Sequence, residues 1–424
     1  MKLSFPALLA LVSSMSVLVA APEGFNYEEA KVPPYTVPDP LRGADGRVIS
    51  KAGEWTGGLR EETRSLLERE MFGRAPARPS LWYRVVEEAE PMPGGKVLRK
   101  QVEVSLSGRE EGPFLDLLIC VPAGAKGPVP LVFGLNFQGN QAVSHDPGIR
   151  LCRSWLRDDV KGGITGNRAT EASRGLQAER WQIEYAASRG YGVATVCYCD
   201  IDPDFHDEWK NGVHALHPEV EARRDGESWG SIAAWAWGMS LTMDYFGKEA
   251  LVDAKRVICQ GHSRLGKTAL WAGACDERFA MVISNDSGAG GAALGKRIFG
   301  ETVARLNASF PHWFCGNFRK YSDREGEMPF DSHQLIALSA PRPVLITSAT
   351  EDQWADPKGE WLGGFHASPV YRLLGTDGMA AAEWPEPGRL VESRIGYLLR
   401  PGAHDVTLAD WKAYLDFADQ HLAR

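Results

Sequence analysis

The stretch Arg256-Val-Ile-Cys-Gln-Gly-His-Ser263-Arg264-Leu-Gly266-Lys267-Thr-Ala-Leu270 runs from what reads as a buried strand straight into what reads as a helix, with Ser263 at the join. A strand that turns into a helix without a loop needs small residues where the two backbones approach, and Gly261 and Gly266 stand there. Such a turn exposes the serine hydroxyl and reads as a nucleophile elbow. The common spacing is Gly-x-Ser-x-Gly, whereas here the second glycine lies one residue later. Taken alone, the turn reads equally well as a helix N-cap by Ser263.

The surroundings of the elbow give the fold class. Beyond Pro128 short apolar runs alternate with helical stretches: Pro130 to Phe137, Gly192 to Cys199, Arg256 to Gln260, Met281 to Asn285, Val344 to Thr347 and Gly396 to Arg400 read as buried strands. Gly230 to Phe246, Arg264 to Ala274 and Leu408 to Leu422 read as amphipathic helices. Alternation of this kind implies an α/β protein of the α/β-hydrolase type, a three-layer sandwich whose mostly parallel central sheet is covered on both faces. Ligands in such sheets bind beyond the carboxyl ends of the strands. Upstream, Arg60 to Phe72 reads as a packing helix, and Val102 to Leu106 and Leu115 to Val121 as strands. No repeat or linker divides the rest, so residues 21–424 are expected to form one catalytic domain with an N-terminal extension and inserted loops.

Chain order supplies partners for Ser263, since this fold presents its triad as Ser, then acid, then His. Of the late histidines, His421 lies near the chain end and His366 in what reads as a Gly-rich loop. His404 follows the last strand in Arg400-Pro-Gly-Ala-His404-Asp, where the general base belongs. Two acids sit at strand ends, Asp286 in Ser284-Asn-Asp286-Ser-Gly and Asp352 in Thr347-Ser-Ala-Thr-Glu-Asp352-Gln-Trp354. Asp352 holds the usual position by strand order, yet either carboxylate suits the task of fixing the imidazole tautomer, and either could instead cap a helix. Arg264 and Lys267 follow the nucleophile on the first helical turn. Two cations there are costly to desolvate beside a neutral lipid ester and suit an acid-derived substrate.

These residues resemble the glucuronoyl esterases, carbohydrate esterase family 15, most closely the bacterial members. The resemblance rests on the Gly261-x-Ser263-Arg264-x-Gly266-Lys267 elbow, the Trp229-Gly230-Ser-Ile-Ala-Ala-Trp-Ala-Trp-Gly helix, Asp286-Ser-Gly-Ala-Gly-Gly, Phe310-Pro-His-Trp-Phe, Ala340-Pro-Arg-Pro-Val-Leu and the His404 turn. It implies a serine esterase that cleaves the ester between (4-O-methyl-)glucuronic acid of glucuronoxylan and a lignin alcohol, with no cofactor and no metal. It further implies that Arg264 stabilises the oxyanion, that Lys267 hydrogen-bonds sugar hydroxyls, and that Glu301 and Trp354 line the uronate site. Two departures stand out: His262 replaces the cysteine of fungal members, so no disulfide is expected beside the nucleophile, and Asp286 is one methylene shorter than the Glu of many members. Rival readings are an acetyl-xylan or other carbohydrate esterase on the same fold, and a carbohydrate-binding relative without turnover.

Composition narrows the setting. Lys2 is followed by an uncharged apolar run to Ala20, the pattern of a signal peptide over residues 1–20, which predicts a secreted or periplasmic product. Nothing later approaches the roughly 18 unbroken apolar residues of a membrane span. A net charge of −8 without basic blocks argues against nucleic acid or an anionic membrane as partner. Seven cysteines are too few and too scattered for a disulfide scaffold, so most are expected to be buried small hydrophobes, with one or two bridges at most. Cys197-Tyr-Cys199 with Asp200, Asp202, Asp204 and His206 lacks zinc or calcium-loop spacing and reads as a turn after a strand. A monomer is expected.

Overall fold

The computed structural model describes residues 22–221 and 225–422, so the predicted signal segment 1–20 lies outside the described residues. Its centre is a ten-stranded sheet built from β1 (Tyr83–Pro91), β2 (Val97–Ser105), β3 (Phe114–Pro122), β4 (Val129–Asn136), β5 (Gly192–Cys197), β6 (Val252–His262), β7 (Met281–Asn285), β8 (Val344–Ala349), β9 (Leu390–Val391) and β10 (Ile395–Arg400). The spatial order is β1-β2-β3-β5-β4-β6-β7-β8-β10-β9. From β5 across to β10 every neighbouring pair is parallel, while β1, β2, β3 and β5 pair antiparallel and β9 adds an antiparallel edge. This is the α/β-hydrolase arrangement.

Why these runs form central strands follows from the period of two. Leu131 and Phe133, Val257 and Cys259, and Val344 and Ile346 join the core on one face, while Val132, Ile258 and Leu345 join a second core on the other. Strands buried on both faces carry apolar residues at every position, which is why they read as unbroken runs. The first core lies under α2 (Ser231–Phe246) and α3 (Arg264–Cys275), and the second under α6 (Leu408–His421), through Trp411, Tyr414, Leu415 and Phe417. The remaining helices used below are α1 (Arg60–Leu67), α4 (Ser332–Ala337) and α5 (Pro357–Leu373).

Several sequence expectations need correction. α2 is not amphipathic: every residue but Asp244 is buried, because the helix is sandwiched rather than laid on a surface. The N-terminal helical segment begins at Ala52, eight residues before the expected Arg60, with π-helical stretches at Trp55–Leu59 and Glu68–Phe72 on either side of α1. It ends at Gly73, and Phe72 stacks on Trp271 of α3 with ring centroids 4.2 Å apart. β5 stops at Cys197, and Tyr198–Ile201 make a helical turn that lets Asp200 accept from the Asp116 amide at 3.0 Å. His366 sits inside α5, not in a loop. The glycines that suggested a loop are packing glycines, since a Cβ on Gly363 would lie 2.1 Å from the Ala292 carbonyl oxygen. All seven cysteines are free, six of them buried.

Strand register brings the candidate residues to one rim. His262 pairs with Asn285, Asn285 with Thr347, and Ala349 with Arg400. Ser263, Asp286, Asp352 and His404 therefore leave β6, β7, β8 and β10 within a few residues of adjacent carboxyl ends. In an open parallel sheet that is the ligand-binding edge.

Candidate active site

Ser263 has φ 58° and ψ −129°, a conformation a side chain rarely adopts, and it joins β6 directly to α3. The strain is held by packing. A Cβ on Gly261 would sit 1.9 Å from the Leu265 carbonyl oxygen, and one on Gly266 would meet Ser287 Cβ at 2.9 Å and the Gly261 carbonyl oxygen at 3.1 Å. The two glycines thus face each other across the turn, so the later second glycine serves the same close approach as the common spacing. The Ser263 amide donates to the Asn285 carbonyl at 2.9 Å, and the Ser263 carbonyl accepts from Gly266 and Lys267 at 2.8 and 3.2 Å. The amides of Arg264 and Leu265 have no acceptor among the described residues, as expected for a first helical turn.

His404 Nδ1 hydrogen-bonds Asp352 Oδ2 at 2.6 Å. Because an ionised carboxylate only accepts, Nδ1 carries the proton and Nε2 is left as the base. The imidazole is exposed and meets the ring of His262, the residue before Ser263, at a tilt, with centroids 4.4 Å apart. No hydrogen bond joins Ser263 Oγ to His404 in this structure; such contacts often close only when substrate is bound. His262 Nδ1 donates to Asn285 Oδ1 at 2.5 Å, and burial, with the charges of His404 and Arg180 adding to it, pushes its pKa well down, so it is a neutral support.

Asp286 is placed differently from Asp352. It is buried at φ 45°, neither carboxylate oxygen has a hydrogen-bond partner, and Arg400 Nη2 stands 3.6 Å away. Asp286, Asp352 and His404 each bring a polar atom within 4.8 Å of the others. Burial first, then the charges of Asp352 and Glu360, push the Asp286 carboxyl well up, and Arg400 offsets only part of this. Of the two candidates, Asp352 orients the histidine and Asp286 waits beside it.

One turn into α3 from Ser263, Lys267 is buried, with Nζ donating to the Ser287 carbonyl at 2.6 Å and Glu301 Oε2 at 2.9 Å. Two of its three N–H bonds are thereby used. The Glu301 amide donates to the Trp354 carbonyl at 2.9 Å, and half-buried Trp354 meets Phe25 edge to face at 4.9 Å. The structure thus links Lys267 to Glu301 through their side chains and Glu301 to Trp354 through the backbone. Cys152, Cys197 and Asp200 also come close enough to share an ion. There, however, Asp200 already accepts from Ser154 Oγ and the Asp116 amide, and Arg150 lines the same small cavity, which sets a guanidinium against a bound cation.

A sequence profile of the family described as "Glucuronyl esterase, fungi" matches residues 223–375, the span that holds Ser263, Arg264, Lys267, Asp286, Glu301 and Asp352. The chain is 53% identical over 404 residues to carbohydrate esterase MZ0003 of an unknown prokaryotic organism, covering 95% of this chain and 93% of that protein. The chain belongs to the glucuronoyl esterases, carbohydrate esterase family 15. Among solved structures it resembles a promiscuous esterase of this family from a marine bacterial metagenome, at 52% identity, TM-score 0.88 and coverage of 94% of this chain and 100% of that one. It likewise resembles the glucuronoyl esterase from Solibacter usitatus, at 45% identity, TM-score 0.86 and coverage of 93% and 100%.

Among the glucuronoyl esterases' site residues as placed here, sequence reasoning missed one layer, the one around Arg264. The Arg264 guanidinium is bound through Nη1 to Asp204 Oδ2 and lies 4.8 Å from the Trp313 ring centre. In the sequence Asp204 reads as part of a turn, and His312 and Trp313 only as part of the Phe310-Pro-His-Trp-Phe segment. The available signal is electrostatic: two cations on one helical turn, Lys267 buried and Arg264 half-buried, demand carboxylates from elsewhere in the chain. Glu301 and Asp204 are those carboxylates.

Proposed function

We propose that this chain is a serine esterase that hydrolyses esters of (4-O-methyl-)glucuronic acid, with lignin-carbohydrate esters of glucuronoxylan as its natural substrates. The observation that carries this reading is the joint placement of a strained Ser263, an Asp352-oriented His404 and two cations, Arg264 and Lys267, on one helical turn. His404 Nε2 takes the Ser263 proton as Oγ attacks the uronate carbonyl carbon. The oxyanion forms facing the Arg264 amide and guanidinium, and each such preorganised donor is typically worth ~3–4 kcal/mol. Collapse breaks the ester C–O bond, His404 returns the proton to the departing alcohol, and the acyl group stays on Ser263. Water, deprotonated by His404, then attacks the acyl carbon, the acyl–Oγ bond breaks, and His404 returns the proton to Ser263 Oγ as glucuronate leaves. The remaining Lys267 N–H, with Glu301 and Trp354, holds the sugar ring, and the chemistry needs no cofactor.

We read residues 21–424 as one catalytic domain delivered outside the cytoplasm by the segment 1–20, acting as a monomer. No helix among the described residues is long and apolar enough to cross a membrane. The test is a comparison of wild type and Lys267→Ala on methyl glucuronate, an acetylated sugar and an aryl acetate. Wild type is expected to prefer the glucuronate ester, and the variant to lose about 10²-fold or more on it while losing little on the aryl acetate. Preference for the acetylated sugar, or equal losses on all three, would contradict the proposal.

A further inference from the structure

Arg264 has a long side chain whose value to an oxyanion depends on where its guanidinium is held. Its neighbours form a cage: the ring centres of Trp313, Phe310 and Phe137 lie 4.8, 5.5 and 5.9 Å from the guanidinium carbon, and Phe310 and Trp313 are themselves stacked at 3.7 Å. Inside this cage the guanidinium makes one hydrogen bond among the described residues, from Nη1 to Asp204 Oδ2. Its Nε has no acceptor, and no hydrogen bond from Nη2 is found among the described residues. The group is therefore tethered at one nitrogen, with the others unclaimed.

Asp204 is only 1% exposed, and its carboxylate is saturated. Oδ1 accepts from His312 Nε2 at 2.9 Å and Trp313 Nε1 at 2.8 Å, and Oδ2 accepts from Tyr198 Oη at 3.1 Å as well as from Arg264. A carboxylate offers about four lone-pair sites, so this one has none left and cannot turn without breaking a bond. Burial pushes the Asp204 carboxyl up, but the His312 hydrogen bond and the Arg264 charge outweigh it and hold the group well below its usual range. The donors come from the turn after β5 and from the segment between α3 and α4, so Asp204 ties Arg264 to two separate parts of the fold.

We infer that Asp204 is a positioning residue for the reaction, acting only through Arg264, whose guanidinium it fixes beside the nucleophile. This rests on the reading of Arg264 as an oxyanion donor. A fixed donor stabilises the transition state without having to reorganise, so loss of the tether should appear in kcat and not in KM. It should also disappear where Arg264 is already absent.

The experiment is a double-mutant cycle of wild type, Asp204→Asn, Arg264→Ala and the double variant on methyl glucuronate, each checked for unchanged melting temperature and fluorophosphonate labelling of Ser263. Asp204→Asn is expected to lower kcat by about 10–100-fold with KM within about threefold, and to change kcat less than about threefold in the Arg264→Ala background. If Asp204→Asn does not fold, Tyr198→Phe removes one donor to the carboxylate while keeping the ring, and the same cycle applies with a smaller effect. Equal losses in both backgrounds, a change confined to KM, or a wild-type kcat in Asp204→Asn would each overturn the inference. A wild-type kcat in Arg264→Ala would instead overturn the oxyanion reading, and the tether would have nothing to act through.

Discussion

At the scale of single residues the question is how two carboxylates divide the work on one imidazole. His404 Nδ1–H has one hydrogen bond to donate, and Asp352 Oδ2 accepts it at 2.6 Å. Asp286 lies near, unbonded and pushed toward its neutral form by burial and by the charge of Asp352. Removing that charge lowers the cost of ionising Asp286, which can then supply part of what was lost. Asp352→Asn is accordingly expected to cut kcat by about 10²–10⁴-fold, and Asp286→Asn by less than about tenfold. The double variant should lose more than the product of the two single losses, a coupling that steady-state kcat values measure directly. Near-wild-type kcat in Asp352→Asn with collapse in Asp286→Asn would reverse the roles. Ser263, His404 and both acids were legible because this fold fixes their order and places them at strand ends. Which acid touches the imidazole was not, since that depends on side-chain reach and on the φ 45° at Asp286.

The element that matters most is the β6–α3 turn, and its glycines are steric requirements. Gly261→Ala would drive a methyl to 1.9 Å from the Leu265 carbonyl oxygen, so the turn must open. We expect a loss of about 3 kcal/mol or more in denaturant unfolding, with Ser263 no longer labelled by a fluorophosphonate. Gly58→Ala, in a helical segment with nothing within 4 Å of the new Cβ, should be neutral or stabilise by about 0.5–1 kcal/mol. Comparable destabilisation by both would show that the turn is not specially constrained. The same contrast explains where sequence reading failed on elements. Gly363 in α5 looks like a loop residue because glycine is rare inside helices, but it is there to let Ala292 approach. α2 carries Ser, Thr and Gly among its apolar residues and so looked two-faced, although nearly all of it is buried. Pattern reports composition, whereas contact from the far side is a property of the assembled layers.

Over the whole molecule, the sheet that gathers the site also buries titratable groups around it. Glu360 of α5 accepts from the Ser287 and Gly288 amides at 2.7 and 3.0 Å and from Ser348 Oγ at 2.6 Å, and burial pushes its carboxyl up to about 7. A carboxyl raised in the folded state contributes stability that is full below its unfolded pKa of about 4.3 and is lost as pH rises through the folded value. Buried His262 and His333, held below the usual histidine range, contribute in the opposite sense as pH falls through about 6.5, so the wild-type profile alone mixes the two. The difference between Glu360→Gln and wild type isolates the carboxyl. The melting temperature of the variant relative to wild type should rise by roughly 3–6 °C between pH 5 and pH 8, and a flat difference would show that Glu360 ionises freely. The central strands along the chain and the rim at their carboxyl ends could be read from apolar runs and turn residues, but the Asp204 network could not, because its members come together only across the layers. What joins all three scales is the claim that this rim hydrolyses a glucuronate ester through Ser263. The most direct measurement is the turnover of methyl glucuronate by wild type and by Ser263→Ala of equal melting temperature. A fall of about 10⁴-fold or more is expected, and activity within tenfold of wild type would contradict the account.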